Sequence, residues 1–226
     1  MSNNYFQFKR FVVRQENCAM KVGTDGCLLG AWAHGGKRVL DVGTGTGLIA
    51  MMMAQRFPQA EVTALDVDER AVMQARQNVA DSPFSQQITI QQADFTIFHN
   101  EGQYDAIVCN PPFFIQSLLS PDEQRSLARH ATSLTYETLM SQSFCLLADD
   151  GELSVIIPFD CRSRMESAAV LSGFLLSRVC AVRTTHRKPP RRFLLAFRKR
   201  LTGECENSEI VIGSTAFHQL VADFYL

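Results

Sequence analysis

The stretch Lys37-Arg-Val-Leu-Asp-Val-Gly-Thr-Gly-Thr-Gly47 joins a short apolar run to a cluster of three glycines. Residues 37–42 read as a buried β-strand. The glycines that follow turn the backbone tightly and let it approach a ligand with no Cβ in the way. Residues 48–57, closed by Pro58, read as a helix that offers its N-terminus to the same turn. Strand, glycine turn and helix open a βαβ unit, the building block of a parallel sheet.

Outward from this unit the alternation continues. Residues 61–66 form a second strand, and 68–80 a helix with Asp68 as N-cap before Glu69. Residues 87–91 are a third strand. A fourth, 104–109, is broken by Asn110-Pro-Pro. Residues 134–147 are helical, Gly151 precedes a fifth strand over 152–158, and Gly173 ends a helix over 162–171. Residues 175–182 and 192–197 then read as consecutive strands with no helix between them. The prediction is an α/β fold: a seven-stranded, mostly parallel sheet with helices on both faces and an antiparallel hairpin at one edge. One domain is expected, with a lead-in at 1–36, a core at 37–200 and a C-terminal extension at 201–226. Such sheets bind ligands beyond the carboxyl ends of their strands. The loops 43–47, 66–68, 94–95 and 110–114 all fall at that edge.

Composition narrows the class. A chain of 226 residues, 46% hydrophobic and 20% charged, buries enough surface to fold without disulfides or metal. No apolar run is long enough to span a membrane, and residues 1–10 lack a secretory pattern, so a cytoplasmic protein is expected. Seven cysteines at 18, 27, 109, 145, 161, 180 and 205 contain no CxxC pair, and the five histidines have no metal-ligand spacing. They read as small hydrophobes in a reducing compartment, with no metal. Net charge is −1, yet residues 183–200 hold eight Arg or Lys and no acid, which leaves about −9 on the rest. A cationic segment on an acidic body points to a specific anionic partner.

The glycine loop is GxGxG, preceded by Asp41, with Leu48 where a dinucleotide fingerprint would want its third glycine. An acid there repels a pyrophosphate but attracts the amino group of an amino acid. Asp66, at the second strand's end, can accept both hydroxyls of a ribose. Asp94, after the third, can accept from an adenine amino group. Together they describe S-adenosylmethionine. In Asn110-Pro-Pro-Phe113, two prolines hold the backbone rigid and remove its donors. The Asn110 side-chain oxygen and the Pro111 carbonyl can then accept both hydrogens of an exocyclic NH2. That frees the nitrogen lone pair for in-line attack on the donor methyl, with no strong base required. Phe113 can stack on the ring.

These two motifs resemble the class I methyltransferases that modify a planar amino nitrogen: adenine N6, guanine N2 of ribosomal RNA, or glutamine N5 of release factors. Phe6-Gln-Phe-Lys-Arg-Phe11, Met20-Lys-Val-Gly-Thr-Asp-Gly26, Ala128-Arg-His-Ala131, Lys188-Pro-Pro-Arg-Arg192 and Asp223-Phe-Tyr-Leu226 further resemble the bacterial tRNA1(Val) adenine-N6 methyltransferase family over nearly the whole chain. Ala131 departs from the acid expected in its segment. The resemblance implies a Rossmann-like class I methyltransferase fold, tRNA as partner and the adenine next to the anticodon as acceptor. It maps donor contacts onto Lys21, Thr24, Asp41, Gly43, Thr44, Gly45, Gly47, Asp66, Val67, Asp94, Phe95 and Asn110. It maps the catalytic pocket onto Asn110, Pro111, Pro112 and Phe113. Residues 21–25 resemble a segment that closes over the donor.

RNA contacts are expected from Arg187, Lys188, Arg191 and Arg192 at the tip of the closing hairpin, where they can hold phosphates while a base is flipped out. Arg125, Arg129 and His130 either line the substrate groove or form an exposed helix face. Arg198-Lys-Arg200 reads as a strand end facing water, Trp32 as core, and residues 217–226 as a helix packed on the body. A release-factor enzyme usually carries a separate N-terminal helical domain, and only about 30 residues precede the first strand here. No obligate protein partner is evident, and a nucleotide- or RNA-binding protein without catalysis would keep the basic hairpin but could lose Asn110 or Asp41, both of which are present. Sequence does not distinguish RNA from DNA.

Overall fold

A computed structural model describes residues 4–16, 21–111, 134–201 and 203–225. It begins with a two-stranded hairpin, β1 (Tyr5–Gln7) and β2 (Val12–Arg14), followed by α1 (Thr24–Trp32). The core then runs β3 (Arg38–Val42), α2 (Leu48–Arg56), β4 (Glu61–Asp66), α3 (Glu69–Ala80), β5 (Ile88–Gln92) and β6 (Tyr104–Cys109). It closes with α4 (Tyr136–Leu146), β7 (Leu147–Pro158), α5 (Arg162–Leu171), β8 (Leu175–Arg183), β9 (Arg192–Arg198), β10 (Glu206–Val211) and α6 (Thr215–Leu220).

Among the described residues the large sheet has eight strands in the order β10-β8-β9-β7-β6-β3-β4-β5. Only β9 runs antiparallel to its neighbours, β7 and β8. The α/β architecture is as expected, but the count is eight rather than seven. The hairpin β8–β9 is not at the edge, because β10 pairs in parallel with β8 outside it. β10 escapes a hydrophobicity reading because its sequence is Glu-Asn-Ser-Glu-Ile-Val, with only Ile210 and Val211 buried. The lead-in is also more ordered than a sequence scan suggests. Helix α1 buries six consecutive residues, Gly26 to Ala31, so it lacks the polar face that marks a surface helix.

Strand residues alternate between two cores, as the period-2 pleat requires. Val39, Ala106, Val108 and Ile156 face the side covered by α1, α2 and α3. Leu40, Val42, Ile107, Val155 and Ile157 face the side covered by α4 and α5. Asp68 caps α3 by accepting from the Arg70 amide at 2.9 Å. Gly173, at φ 90°, turns the chain out of α5. Phe217, Val221 and Phe224 bury the C-terminal segment against the first core, where Phe8 stacks near Tyr225 and the Lys9 amide donates to the Phe224 carbonyl at 2.8 Å.

The strand end at 198–200 is not simply solvated. Arg198 Nε donates to Glu152 at 3.0 Å, and Lys199 donates to the Leu147 carbonyl at 2.6 Å. Glu152, 2% exposed, also takes Arg178 at 2.6 Å and lies 3.3 Å from His34 Nδ1. Trp32 lies at the rim of the core with the Arg178 guanidinium 3.9 Å from its ring centre.

Candidate active site

Strand register sets the parts of the site side by side. Val42 is opposite both Leu65 and Cys109. The residues that follow, Gly43, Asp66 and Asn110, therefore leave the sheet at adjacent positions, with neighbouring strands about 4.8 Å apart. Asp66 is opposite Gln92, which puts Ala93 and Asp94 next in line. The sequence thus delivers the glycine loop, two carboxylates and the Asn-Pro segment to one edge because four parallel strands end there.

The loop between β3 and α2 depends on its glycines. Gly43, Gly45 and Gly47 have φ of 71°, 56° and 82°, a region that L side chains rarely adopt. A Cβ at Gly43 or Gly45 would meet nothing within 4 Å, so the backbone there borders open space. The turn is closed by the Gly47 amide on the Thr44 carbonyl (2.9 Å) and the Thr44 amide on the Leu65 carbonyl (2.8 Å). The Gly45 amide donates to Asp66 Oδ2 at 2.8 Å, which ties the loop to the end of β4.

Asp41 lies beneath this loop rather than in its mouth. It is fully buried, and its Oδ2 accepts from the Thr44 hydroxyl (2.6 Å) and the Ala50 amide (3.1 Å). Its Oδ1 is buried with no hydrogen-bond partner among the described residues. Burial raises its pKa from 3.8 to about 7; the bonds from Thr44 and Ala50 pull it back down, and the charge of Asp66 pushes it up. An orphaned buried carboxylate oxygen below an open glycine cradle suits a donor that carries a cationic amino group.

Asp66 is half-buried, and each of its oxygens accepts one backbone amide, from Gly45 and, at 3.0 Å, from Asp68. A carboxylate oxygen has two lone pairs, so both can still accept from hydroxyls. Asp94 Oδ1 accepts from the Thr96 amide (2.8 Å) and hydroxyl (2.7 Å), which holds a short 3-10 turn, Phe95–Ile97. Phe95 itself is buried under that turn, whereas Val67 is 55% exposed beside Asp66. These residues fit an adenosine: an apolar contact, a hydroxyl acceptor and a fixed turn.

Lys21 and Thr24 are exposed at the start of α1. Their approach is set by the Val22 amide, which donates to Gln15 Oε1 at 2.8 Å. A residue missed by sequence reading completes this link. Asn78, 1% exposed, accepts from the Arg14 amide (2.9 Å) and donates to the carbonyls of Arg14 (2.8 Å) and Thr46 (2.9 Å). It therefore binds the N-terminal hairpin to the glycine loop. The available signal was a polar residue on the apolar stripe of α3, at 71, 72, 75 and 79.

Asn110 and the buried Pro111 follow β6 directly. Pro112, Phe113, Arg125, Arg129 and His130 lie outside the described residues. Of the basic hairpin, Arg187, Lys188 and Arg191 are exposed. Arg183 donates to the Lys188 carbonyl at 2.6 Å and pairs with Glu209, which shapes the loop. Arg192 is otherwise engaged: its Nε donates to Asp25 Oδ2 at 2.7 Å, joining β9 to α1. The tip lies at the carboxyl edge, because Pro158 at the end of β7 is opposite Arg192. Among the described residues, no cluster of three or more His, Cys, Asp or Glu can hold a metal ion, and no helix is long and apolar enough to cross a membrane.

Residues 26–168 match the sequence profile of the methyltransferase small domain. A tRNA1(Val) (adenine(37)-N6)-methyltransferase of Bacteroides thetaiotaomicron is 43% identical, with 100% of this chain and 99% of that one aligned. One of the same description from Vibrio campbellii is 37% identical over 98% and 95%. Among solved structures, a predicted O-methyltransferase from Agrobacterium tumefaciens superposes with a TM-score of 0.67 at 20% identity, covering 88% of this chain and 94% of that one. The glycopeptide N-methyltransferase MtfA, complexed with S-adenosyl-L-methionine, superposes with a TM-score of 0.58 at 13% identity, over 80% and 90%. These two likenesses concern the fold.

Proposed function

The chain belongs to the methyltransferase small domain family and, within it, to the tRNA1(Val) (adenine(37)-N6)-methyltransferases, and from that premise we propose that it methylates N6 of the adenine next to the anticodon of tRNA1(Val). The observation that carries the reading is the register that sets Gly43 between Asn110 and Asp66, an amine acceptor site next to a cradle for an amino-acid nucleoside.

S-adenosylmethionine, when bound, supplies a methyl group made electrophilic by its sulfonium. The chain's part is to bind and orient. Asp66 and Val67 receive the ribose and one face of the adenosine, the turn begun by Asp94 closes beside them, and the backbone of 43–47 packs against the amino-acid half. Asp41 supports the loop from below and places negative charge near the ammonium. The Asn110 side-chain oxygen and the Pro111 carbonyl accept the two hydrogens of the exocyclic amine, which weakens its conjugation with the ring and holds the nitrogen in place. Carbonyl acceptors also suit the cation that forms as the amine is alkylated. Phe113 stacks on the acceptor ring. Arg187, Lys188 and Arg191 hold phosphates, which position RNA without reading its sequence.

The test separates binding from transfer. Asn110→Ala is expected to lower the single-turnover rate by at least about 100-fold, the scale of losing an oriented hydrogen-bonding group in a transition state. Donor affinity, read by calorimetry, should stay within about threefold, since the side chain acts on the acceptor. A variant that transfers methyl groups at the wild-type rate would remove Asn110 from the amine site.

A further inference from the structure

The carboxyl edge holds an aromatic residue that neither the glycine loop nor the Asn-Pro segment uses. Phe159 follows the last residue of β7 and is 46% exposed. Its ring is not loose. Its centroid lies 5.8 Å from that of the buried Phe193, with the planes 27° apart, and the Phe159 amide donates to the Arg191 carbonyl at 3.1 Å. The Arg162 guanidinium lies 4.6 Å from the centre of Phe193. A half-exposed ring backed by a second ring and joined through its backbone to an exposed arginine is a fixed surface of the kind that binds planar, anionic ligands.

Its place in the sheet says which ligand. β7 lies between β6, which is followed directly by Asn110, and β9, which begins at the basic tip. Cys109 is opposite Val155 and Pro158 is opposite Arg192. Phe159 therefore lies on the path from the amine site to Arg191 and Lys188. An RNA strand with its target base at Asn110 and its phosphates on the tip passes over β7, whose end carries the exposed Phe159.

We propose that Phe159 is a stacking platform for an unpaired base adjoining the methylated adenine, with Arg191 holding the phosphate of that nucleotide. This rests on the RNA-adenine reading above and adds a second base contact to it. Bases have a π-face whatever their identity, so the platform selects single-stranded RNA rather than a particular base. It also compensates in part for the lost stacking when the neighbouring adenine leaves the loop.

The test uses the full chain and an anticodon stem-loop of tRNA1(Val) with 2-aminopurine on either side of the target adenine. Wild-type protein should quench the fluorophore at one of the two positions. Phe159→Ala should abolish that quenching and weaken stem-loop binding about 5- to 150-fold, the range of one lost base–aromatic stack. Phe159→Tyr, which keeps the ring, should recover the affinity to within about threefold. Donor affinity should not move in either variant. Phe159→Ala binding the RNA as tightly as wild type overturns the proposal. So does Phe159→Tyr losing as much as Ala, which would mark Phe159 as packing for Phe193. Wild-type transfer to tRNA is read in the same preparation. If it fails, the RNA-adenine reading falls with the platform; if it succeeds while Phe159→Ala behaves as wild type, only the platform falls.

Discussion

Asp41 shows how a single carboxyl can serve both a loop and a ligand. Its raised pKa means that the fold favours the protonated form. The stability this provides is fully present below the unfolded value of 3.8 and is lost as pH rises through about 7. Donor binding runs the other way, because a nearby ammonium favours the carboxylate. Donor affinity is therefore expected to strengthen between about pH 6 and pH 8, and in Asp41→Asn, which carries no charge at any pH, that dependence should flatten. Calorimetric titration at the two pH values checks this. An Asn variant with the wild-type pH dependence would assign the titration to another group. At this scale the sequence shows which residue types stand beside the glycine loop, and the structure shows how they are turned. An acid before a glycine loop is visible in a sequence, whereas its rotation under the loop, fixed by Thr44 and Ala50, is a tertiary fact. The coupling through Asn78 was hidden for the same reason: its partners lie 32 and 64 positions away.

Among the elements, β3 and β6 were legible because buried parallel strands are near-continuous apolar runs, here ended by a glycine loop and by Asn-Pro, whereas the edge strand β5 shows through alternation. Strand β10 and hairpin β1–β2 were not, since most of their residues are exposed and they are strands through their pairing rather than through an apolar run. The same holds for the link between β7, β8 and β9. Glu152 takes Arg178 and Arg198 from two other strands, the second in a segment that reads as a strand end facing water. Burial pushes its pKa up, but the hydrogen bond and charge of Arg178, then His34 and Arg198, outweigh this and leave it below the ordinary carboxylate value. Its contribution is thus present at neutral pH and lost only as pH falls through that lowered pKa. Glu152→Ala leaves Arg178, 11% exposed, without its counter-charge and should cost about 3–5 kcal/mol in urea unfolding. A loss under about 1 kcal/mol would mean that the cluster gains little over its desolvation cost. At the basic tip, charge reversal belongs at Arg187 and Lys188, since Arg192→Glu would face Asp25 and strain the joint to α1. Arg187→Glu with Lys188→Glu should weaken tRNA binding and reduce the slope of log affinity against log salt by about 2. An unchanged slope would take the tip out of the RNA interface.

Over the whole molecule, the two motifs predict one continuous surface along the carboxyl edge. It runs from Asp94 and Asp66 through the glycine loop and Asn110 to Phe159 and the tip at Arg187–Arg191. Negative groups gather at the donor end and positive groups at the far end, which matches a cationic donor and a polyanionic acceptor. The central claim concerns the acceptor atom. The most direct test incubates the protein with labelled S-adenosylmethionine and unmodified tRNA1(Val), alongside a transcript in which the adenine next to the anticodon is replaced by guanine. Both are then digested to nucleosides. The account predicts label in N6-methyladenosine from the first RNA and none from the second. Label in N2-methylguanosine, or equal label in both RNAs, would contradict it.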